Sequence, residues 1–374
     1  MRGRKIMVGL VGLLTFGGLL WGLDRPITAQ AQTTQAVTWY QQWRRAYLGG
    51  KTQKYVKTND GQGATQVLSE GQGYGMLATV LAAKRGVKSQ TTFNQLYRYY
   101  RAHRIAADNP LMSWRQTRRG GRLTSVGSER NSATDGDLDI AYALILADRQ
   151  WGSRRVNYRQ AAQRLLTAIA RHELNPTTKL PLMGNWATTA YDRSKLRTSD
   201  LMTGYFKTFA KFTHQHVWTQ AAQRSQRLVG RLSARHQTGL FPDFIRVSGT
   251  QLALTNVHPG EIESATDNQV GYNACRVPWR LAQTYRMTHD ATTKRALTKQ
   301  LTFFKHRARI TSGYTLGGHA VNNYTNPAFN APINAAARTL KMSGLRRKTA
   351  RQLPAKITKH TYYSATLQVV TALS

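Results

Sequence analysis

Acidic side chains are scarce in this chain, 17 Asp and Glu against 54 Lys and Arg, so their positions carry information. Three short segments stand out. Glu70 lies in SEGQGYGM (69–76), Asp135, Asp137 and Asp139 in ATDGDLD (133–139), and Glu261, Glu263 and Asp267 in GEIESATD (260–267). Solubility does not require such grouping in a chain of net charge +37. A helix starts after each of the first two segments, and a carboxylate at a helix N-terminus is stabilised in its ionised form by the dipole. A general acid needs the reverse, so burial or a like charge would have to overcome that effect. Glu70 is therefore either a helix-capping acid or a proton donor. Asp135 and Asp137, two residues apart, do not share a helix face, so one can point into a cleft while the other caps.

The glycines of GQGYG form neither GxGxxG nor a phosphate loop with its lysine. They are expected to let the backbone turn tightly and a ligand approach closely. YNACRVPWR (272–280) follows the third acidic segment and supplies Tyr272, Arg276, Trp279 and Arg280. Aromatic rings stack on sugar faces, and Arg holds carboxylates in place. The other reading is a helix packed through Tyr272 and Trp279.

The elements that would position these residues are mostly helical. Apolar residues recur at three- and four-residue spacing over 34–48, 73–86, 91–105, 137–150, 157–172, 199–213, 217–234, 269–287, 291–307 and 329–342. Strand-like alternation is scarce. Ten or more helices with chemistry-bearing residues at their starts suggest an all-α toroid in one domain.

The N-terminus reads as an export signal: MRGRK, an apolar run from Ile6 to Leu23, then Ala29-Gln30-Ala31 as a cleavage site. That leaves residues 32–374 as the mature domain of a secreted protein; the other reading is an uncleaved anchor. Cys275 is the only cysteine, so there is no internal disulfide, and the histidines show no metal-binding spacing. No metal or cofactor is expected. The basic charge demands a polyanionic neighbour or solvent. Export and the lack of a recognisable motif argue against nucleic acid. Anionic cell-envelope polymers are the better partner, with KMSGLRRKTARQLPAKITKH (341–360) as an adhesive face that retains the protein at the cell surface. A merely solvated basic surface is the alternative.

SEGQGYGM, ATDGDLDIAYALILADRQW and YNACRVPWR together resemble glycoside hydrolase family 8, exported β-glycan hydrolases. The middle match runs over residues 133–151. Weaker likeness extends through LMSWRQT (111–117), TSDLMTGYFKTFAKF (198–212) and 314–337. The resemblance implies an (α/α)6 barrel, a cleft across the helix N-terminal ends, and hydrolysis with inversion; a monomer is expected. It implies Glu70 as proton donor and Asp135 on the sugar at the cleavage point. Tyr74, Trp114, Asp137, Tyr205, Tyr272, Asn273, Arg276 and Trp279 are the expected substrate contacts. Many members of the family carry Asp where this chain has Asn273, and an amide cannot take a proton from water. A second branch has Asn there and recruits a Glu from the preceding loop. Glu263 is then the expected base, with Glu261 second and Asp267 third. The expected substrate is a neutral β-1,4- or mixed-linkage glucan. Chitosan is the runner-up, and a non-catalytic glycan-binding protein is the competing class.

Overall fold

A computed structural model of the protein describes residues 29–374, with side chains from Thr33 onward, so nearly all of the expected export signal lies outside the described residues. Among the described residues six helices form an inner ring: α2 (Ser69–Ala83), α4 (Thr134–Trp151), α7 (Thr203–Thr213), α9 (Val277–Thr288), α11 (Pro327–Thr339) and α13 (Tyr362–Leu373). Each packs on the next in that order, and α13 also packs on α2, which closes the ring. Six more amphipathic helices cover it. These are α1 (Ala29–Tyr47) on α13, α3 (Gln90–Ala102) on α2, α5 (Tyr158–His172) on α4, α8 (His216–Arg235) on α7, α10 (Ala291–Lys305) on α9 and α12 (Ser343–Ala350) on α11. The result is the expected (α/α)6 barrel. A short helix, α6 (Ala190–Ser194), stands outside it. Inner helices such as α2 and α13 are apolar nearly all round because both faces are buried, whereas α7 still exposes Lys207 and Lys211 and the outer helices carry one apolar stripe. Among the described residues no helix is long and apolar enough to cross a membrane.

Among the described residues eight short strands, which the sequence did not announce, form three small antiparallel sheets. β1 (Leu48–Gly49) pairs with β2 (Tyr55–Val56). β3 (Gln66–Leu68), β4 (Arg115–Arg119) and β5 (Arg122–Thr124) form the second sheet. β6 (Lys195–Arg197), β7 (Phe244–Ser248) and β8 (Ala253–Asn256) form the third. Strands of two to five residues are too short to display alternation. β3 runs directly into α2, and β6 runs into the turn before α7, so both larger sheets brace N-terminal ends of inner helices.

The glycine-rich stretch behaves differently from expectation. Helix α2 starts at Ser69, not near Met76, and Gly71, Gly73 and Gly75 are all inside it. Each costs about 0.5–1 kcal/mol relative to Ala in a helix. What they provide is closeness between helices, not an open loop for ligand. A Cβ on Gly73 would lie 2.9 Å from the Gly136 carbonyl oxygen, and one on Gly136 would lie 2.6 Å from the Ser69 carbonyl carbon and 2.7 Å from the Glu70 nitrogen. The two glycines let the starts of α2 and α4 touch backbone to backbone. Gly136→Ala should therefore force these ends apart and cost about 1–3 kcal/mol, the usual penalty for overpacking. The urea midpoint and turnover should fall together; unchanged values for both would mean that the ends tolerate separation.

Candidate active site

Contact between the starts of α2 and α4 sets two acids side by side. Glu70 is the second residue of α2 and Asp135 the second of α4. A single guanidinium nitrogen, Nη1 of Arg276, donates to both, at 2.5 Å to Glu70 Oε1 and 3.1 Å to Asp135 Oδ2. Arg276 ends a short 3-10 turn, Ala274–Arg276, ahead of α9, and its Nη2 donates to Asn273 Oδ1 at 2.8 Å. Arg197, at the end of β6, approaches the same Asp135 oxygen at 3.3 Å. Its Nη2 donates to Glu263 Oε1 at 2.8 Å, and Asn273 Nδ2 donates to Glu263 Oε2 at 3.0 Å. Glu70, Glu263, Tyr272 and Asn273 line one open cleft of about 500 Å3.

The two neighbouring acids are driven apart electrostatically. Burial is the largest influence on Glu70 and, with the charge of Asp135, it outweighs Arg276 and lifts the carboxyl to about 7. Burial pushes Asp135 upward as well, but Arg197 and Arg276 and the Gly136 N–H overturn it and hold the group below the ordinary carboxylate range. One acid thus carries a proton near neutrality while its neighbour stays ionised, the separation that acid–base catalysis requires. Among the described residues no group of three or more His, Cys, Asp or Glu is arranged to hold a metal ion.

The three acids of the GEIESATD loop have distinct surroundings. Asp267 is fully buried and accepts backbone N–H bonds from Ile262, Glu263 and Ser264 at 2.6, 3.0 and 2.8 Å. It folds the loop rather than facing the cleft. Glu261 accepts from His258 N at 2.7 Å and the Tyr191 hydroxyl at 3.0 Å, and lies 3.5 Å from Arg246. Only Glu263 lines the cleft, with its side chain 40% exposed.

The expected substrate contacts divide in two. Tyr272 and Asn273 line the cleft, whereas Arg276 is buried behind it and bonded to the cleft residues Glu70 and Asn273. Trp114 is half-buried, with its Nε1 donating to the Ser128 carbonyl at 3.0 Å and the Arg115 guanidinium over its ring. Tyr74, Asp137, Tyr205 and Trp279 are fully buried and do not reach a ligand. Their polar atoms are committed inward. The Tyr74 hydroxyl accepts from Arg276 at 3.2 Å, and Tyr205 donates to Asp139 Oδ1 at 2.9 Å, where Arg280 also binds. Trp279 packs between the Tyr74 ring and Arg280. Asp137 accepts from Met112 N at 3.0 Å and faces Glu173. These residues are a second layer that orients the first.

Burial, aided by their mutual repulsion, lifts Asp137 well above its ordinary range, and burial lifts Glu173 to about 8. A group that binds its proton more tightly when folded contributes stability that is present at low pH and lost as pH rises through the folded value. Glu173→Gln, which cannot ionise, should therefore flatten the fall in Tm between about pH 4.5, the ordinary value of the group, and about 8, its folded value. An unchanged fall would place the cause elsewhere.

Several site residues gave no sequence signal. Asp243 is buried and its Oδ1 accepts from the backbone nitrogens of Gly271, Asn273 and Ala274 at 2.9, 3.1 and 2.6 Å. It shapes the turn that delivers Asn273 and Arg276, and burial lifts it to about 7. Asp60, His360, Thr361, Tyr363 and Ser364 complete the cleft wall from segments that read only as loop or basic tail.

Comparison with known proteins agrees with this arrangement. The sequence profile of glycosyl hydrolases family 8 matches residues 26–374. A beta-glucanase of Niallia circulans is 33% identical over 323 residues, covering 84% of this chain and 77% of the relative. An endoglucanase of Bacillus sp. (strain KSM-330) is 30% identical, covering 85% and 71%. The solved structure of a beta-1,3-1,4-glucanase from Paenibacillus sp. X4 superposes with a TM-score of 0.84 at 30% identity, covering 93% of this chain and 92% of that one. A cold-adapted family 8 xylanase, at 17% identity and a TM-score of 0.75, shares the fold.

Proposed function

The chain belongs to glycosyl hydrolases family 8 and is a glycoside hydrolase, and on that premise we propose that it cleaves internal linkages of a neutral β-1,4- or mixed-linkage glucan with inversion. The carrying observation is the split between Glu70, lifted to about 7, and ionised Asp135 across one Arg276 nitrogen, with Glu263 in the same cleft. Glu70 donates its proton to the glycosidic oxygen as the bond to the anomeric carbon breaks. Asp135 accepts hydrogen bonds from the sugar at that point and offsets the positive charge developing on its ring. Glu263 takes a proton from a water, whose oxygen attacks the opposite face of the same carbon. Inversion requires acid and base to stand about 6.5–9.5 Å apart to admit that water. Arg197 and Asn273 each occupy one Glu263 oxygen, and each oxygen keeps a further lone pair for the water. This is the branch in which a loop Glu replaces the Asp that other members carry at the Asn273 position.

The glucan reading rests on the names borne by the relatives at 30–33% identity. A net charge of +37 opposes polycationic chitosan at long range, although salt screens beyond about 8 Å. We also place the enzyme outside the cytoplasm, from its basic and then apolar N-terminus. Reducing ends released from soluble cellulose derivatives, mixed-linkage glucan, xylan and chitosan test the substrate. Proton NMR of the first product tests the stereochemistry. Rapid cleavage of the glucans with the α-anomer appearing first is expected. Faster cleavage of chitosan or xylan overturns the substrate, and an initial β-anomer overturns inversion.

A further inference from the structure

On the outer wall of the barrel, away from the cleft, a groove of about 410 Å3 runs between α3 and α5. Arg98, Arg101 and Arg104 enter it from α3 and the residues just after it, Arg155 from the loop before α5 and Arg164 from the middle of α5. No acidic side chain lines it. Among the described residues none of the five is in an ion pair; Asp148, which borders this region in sequence, pairs with Arg159 at 3.3 Å. Arg98 and Arg101 stand three apart on one helix face, where like charges repel. The Arg101 guanidinium lies 5.9 Å from the centre of the Tyr97 ring, and Arg101, Arg104 and Arg164 all act against the rise that burial imposes on the Tyr97 phenol. A concave, unneutralised array of this kind concentrates anions.

We propose that this groove is a second glycan site, which binds a polysaccharide strand bearing regularly spaced carboxylates. All five cations are Arg, whose planar forks match carboxylates two bonds at a time. Between them stand Asn94 and Asn157, whose carbonyl oxygens are taken by the Tyr158 hydroxyl and Gln160 N. Their amide N–H groups face no acceptor among the described residues and suit sugar hydroxyls, which a bare polyphosphate lacks. Nucleic acid fits poorly, because the groove offers no open ring for bases to stack on. Tyr97 and Tyr100 are buried, and the Tyr100 hydroxyl donates to the Pro110 carbonyl at 2.7 Å. The site would hold the enzyme on acidic glycan independently of which residues perform hydrolysis.

The test is affinity electrophoresis of the full chain through gels containing polygalacturonate, with polyphosphate and single-stranded DNA as further arms. Arg101→Gln/Arg104→Gln/Arg164→Gln should weaken retention by polygalacturonate about tenfold, as three modest charge pairs would. Arg227→Gln/Arg235→Gln/Arg295→Gln removes the same charge from other exposed positions and should change retention by less than about twofold, because distant charges are screened. Turnover on neutral glucan and the Tm should match the parent in both variants. A triple change to Lys in the groove, which keeps charge but loses the fork, should retain only part of the binding. Equal losses in the groove and control variants, no loss in the groove variant, or equally tight groove-dependent binding of polyphosphate or DNA overturns the proposal.

Discussion

Glu70→Gln should lower turnover on glucan by about 10²–10⁴-fold, the usual contribution of a positioned general acid, while leaving KM within a small factor. The amide keeps the shape of the carboxyl, and its oxygen can still accept from Arg276, so the cleft should survive the change. On the proposed mechanism, the proton on Glu70 must be present in the parent when the leaving oxygen departs. Burial lifts that carboxyl to about 7, so kcat/KM should fall as pH rises past neutrality. The basic limb of the profile should disappear in the Gln variant, because the group that titrates is gone. An aryl glycoside with an acidic leaving group needs little protonation and should recover much of the lost rate. A Gln variant with full activity and an unaltered basic limb would remove Glu70 from the mechanism. A Gln variant with an altered Tm and no aryl-glycoside recovery would point to structural damage instead.

The same two segments show what the sequence could and could not disclose. Most helices announce themselves through apolar periodicity, although no helix was expected after residue 342, where α12 and α13 complete the barrel. The helical class and the placement of Glu70 and Asp135 near helix starts were therefore legible. The glycines of SEGQGYGM were not, because a glycine that admits a neighbouring helix looks the same in sequence as one that frees a loop. Only the approach of Gly136 to the Ser69–Glu70 backbone separates the two. Tyr74, Tyr205 and Trp279 carried the residue types of sugar platforms, yet all three are buried. Residue type reports an ability to stack, whereas depth is set by neighbours distant in the chain. The cleft wall from 360 to 364 was hidden for a related reason. TYYSATLQVV begins an inner helix, but the basic stretch before it dominates a reading by charge. Lys348, within that stretch, donates to the carbonyl of Lys305 at 2.8 Å, so part of its charge ties α12 to α10 rather than facing an outside partner. Arg197 and Asp243 lay outside the three acidic segments. A buried ion pair leaves no periodic trace, so nothing in composition marked them.

Glu263→Ala should abolish hydrolysis, with activated leaving groups as well, because the attack of water is lost and not the departure of the aglycone. The geometry separates this variant from its neighbours. Glu261 is engaged with Tyr191, His258 N and Arg246, so Glu261→Ala should cost far less, through loop position alone. Asp267 holds three backbone N–H groups, so Asp267→Ala should loosen the loop and lower Tm together with activity. Glu263→Ala should leave Tm nearly unchanged, since the removed side chain is 40% exposed. External azide is small enough to enter the vacated space and needs no base, so it should restore turnover and give a β-linked glycosyl azide's opposite, the α-azide. Asn273 supplies the last discrimination. It donates to Glu263 through Nδ2 and accepts from Arg276 through Oδ1. Asn273→Asp removes that donor and sets a second negative charge against Glu263, so activity should fall about tenfold or more, as for like charges in contact. A rise in activity in Asn273→Asp, with Glu263→Ala still active, would make position 273 the natural seat of the base and Glu263 a bystander.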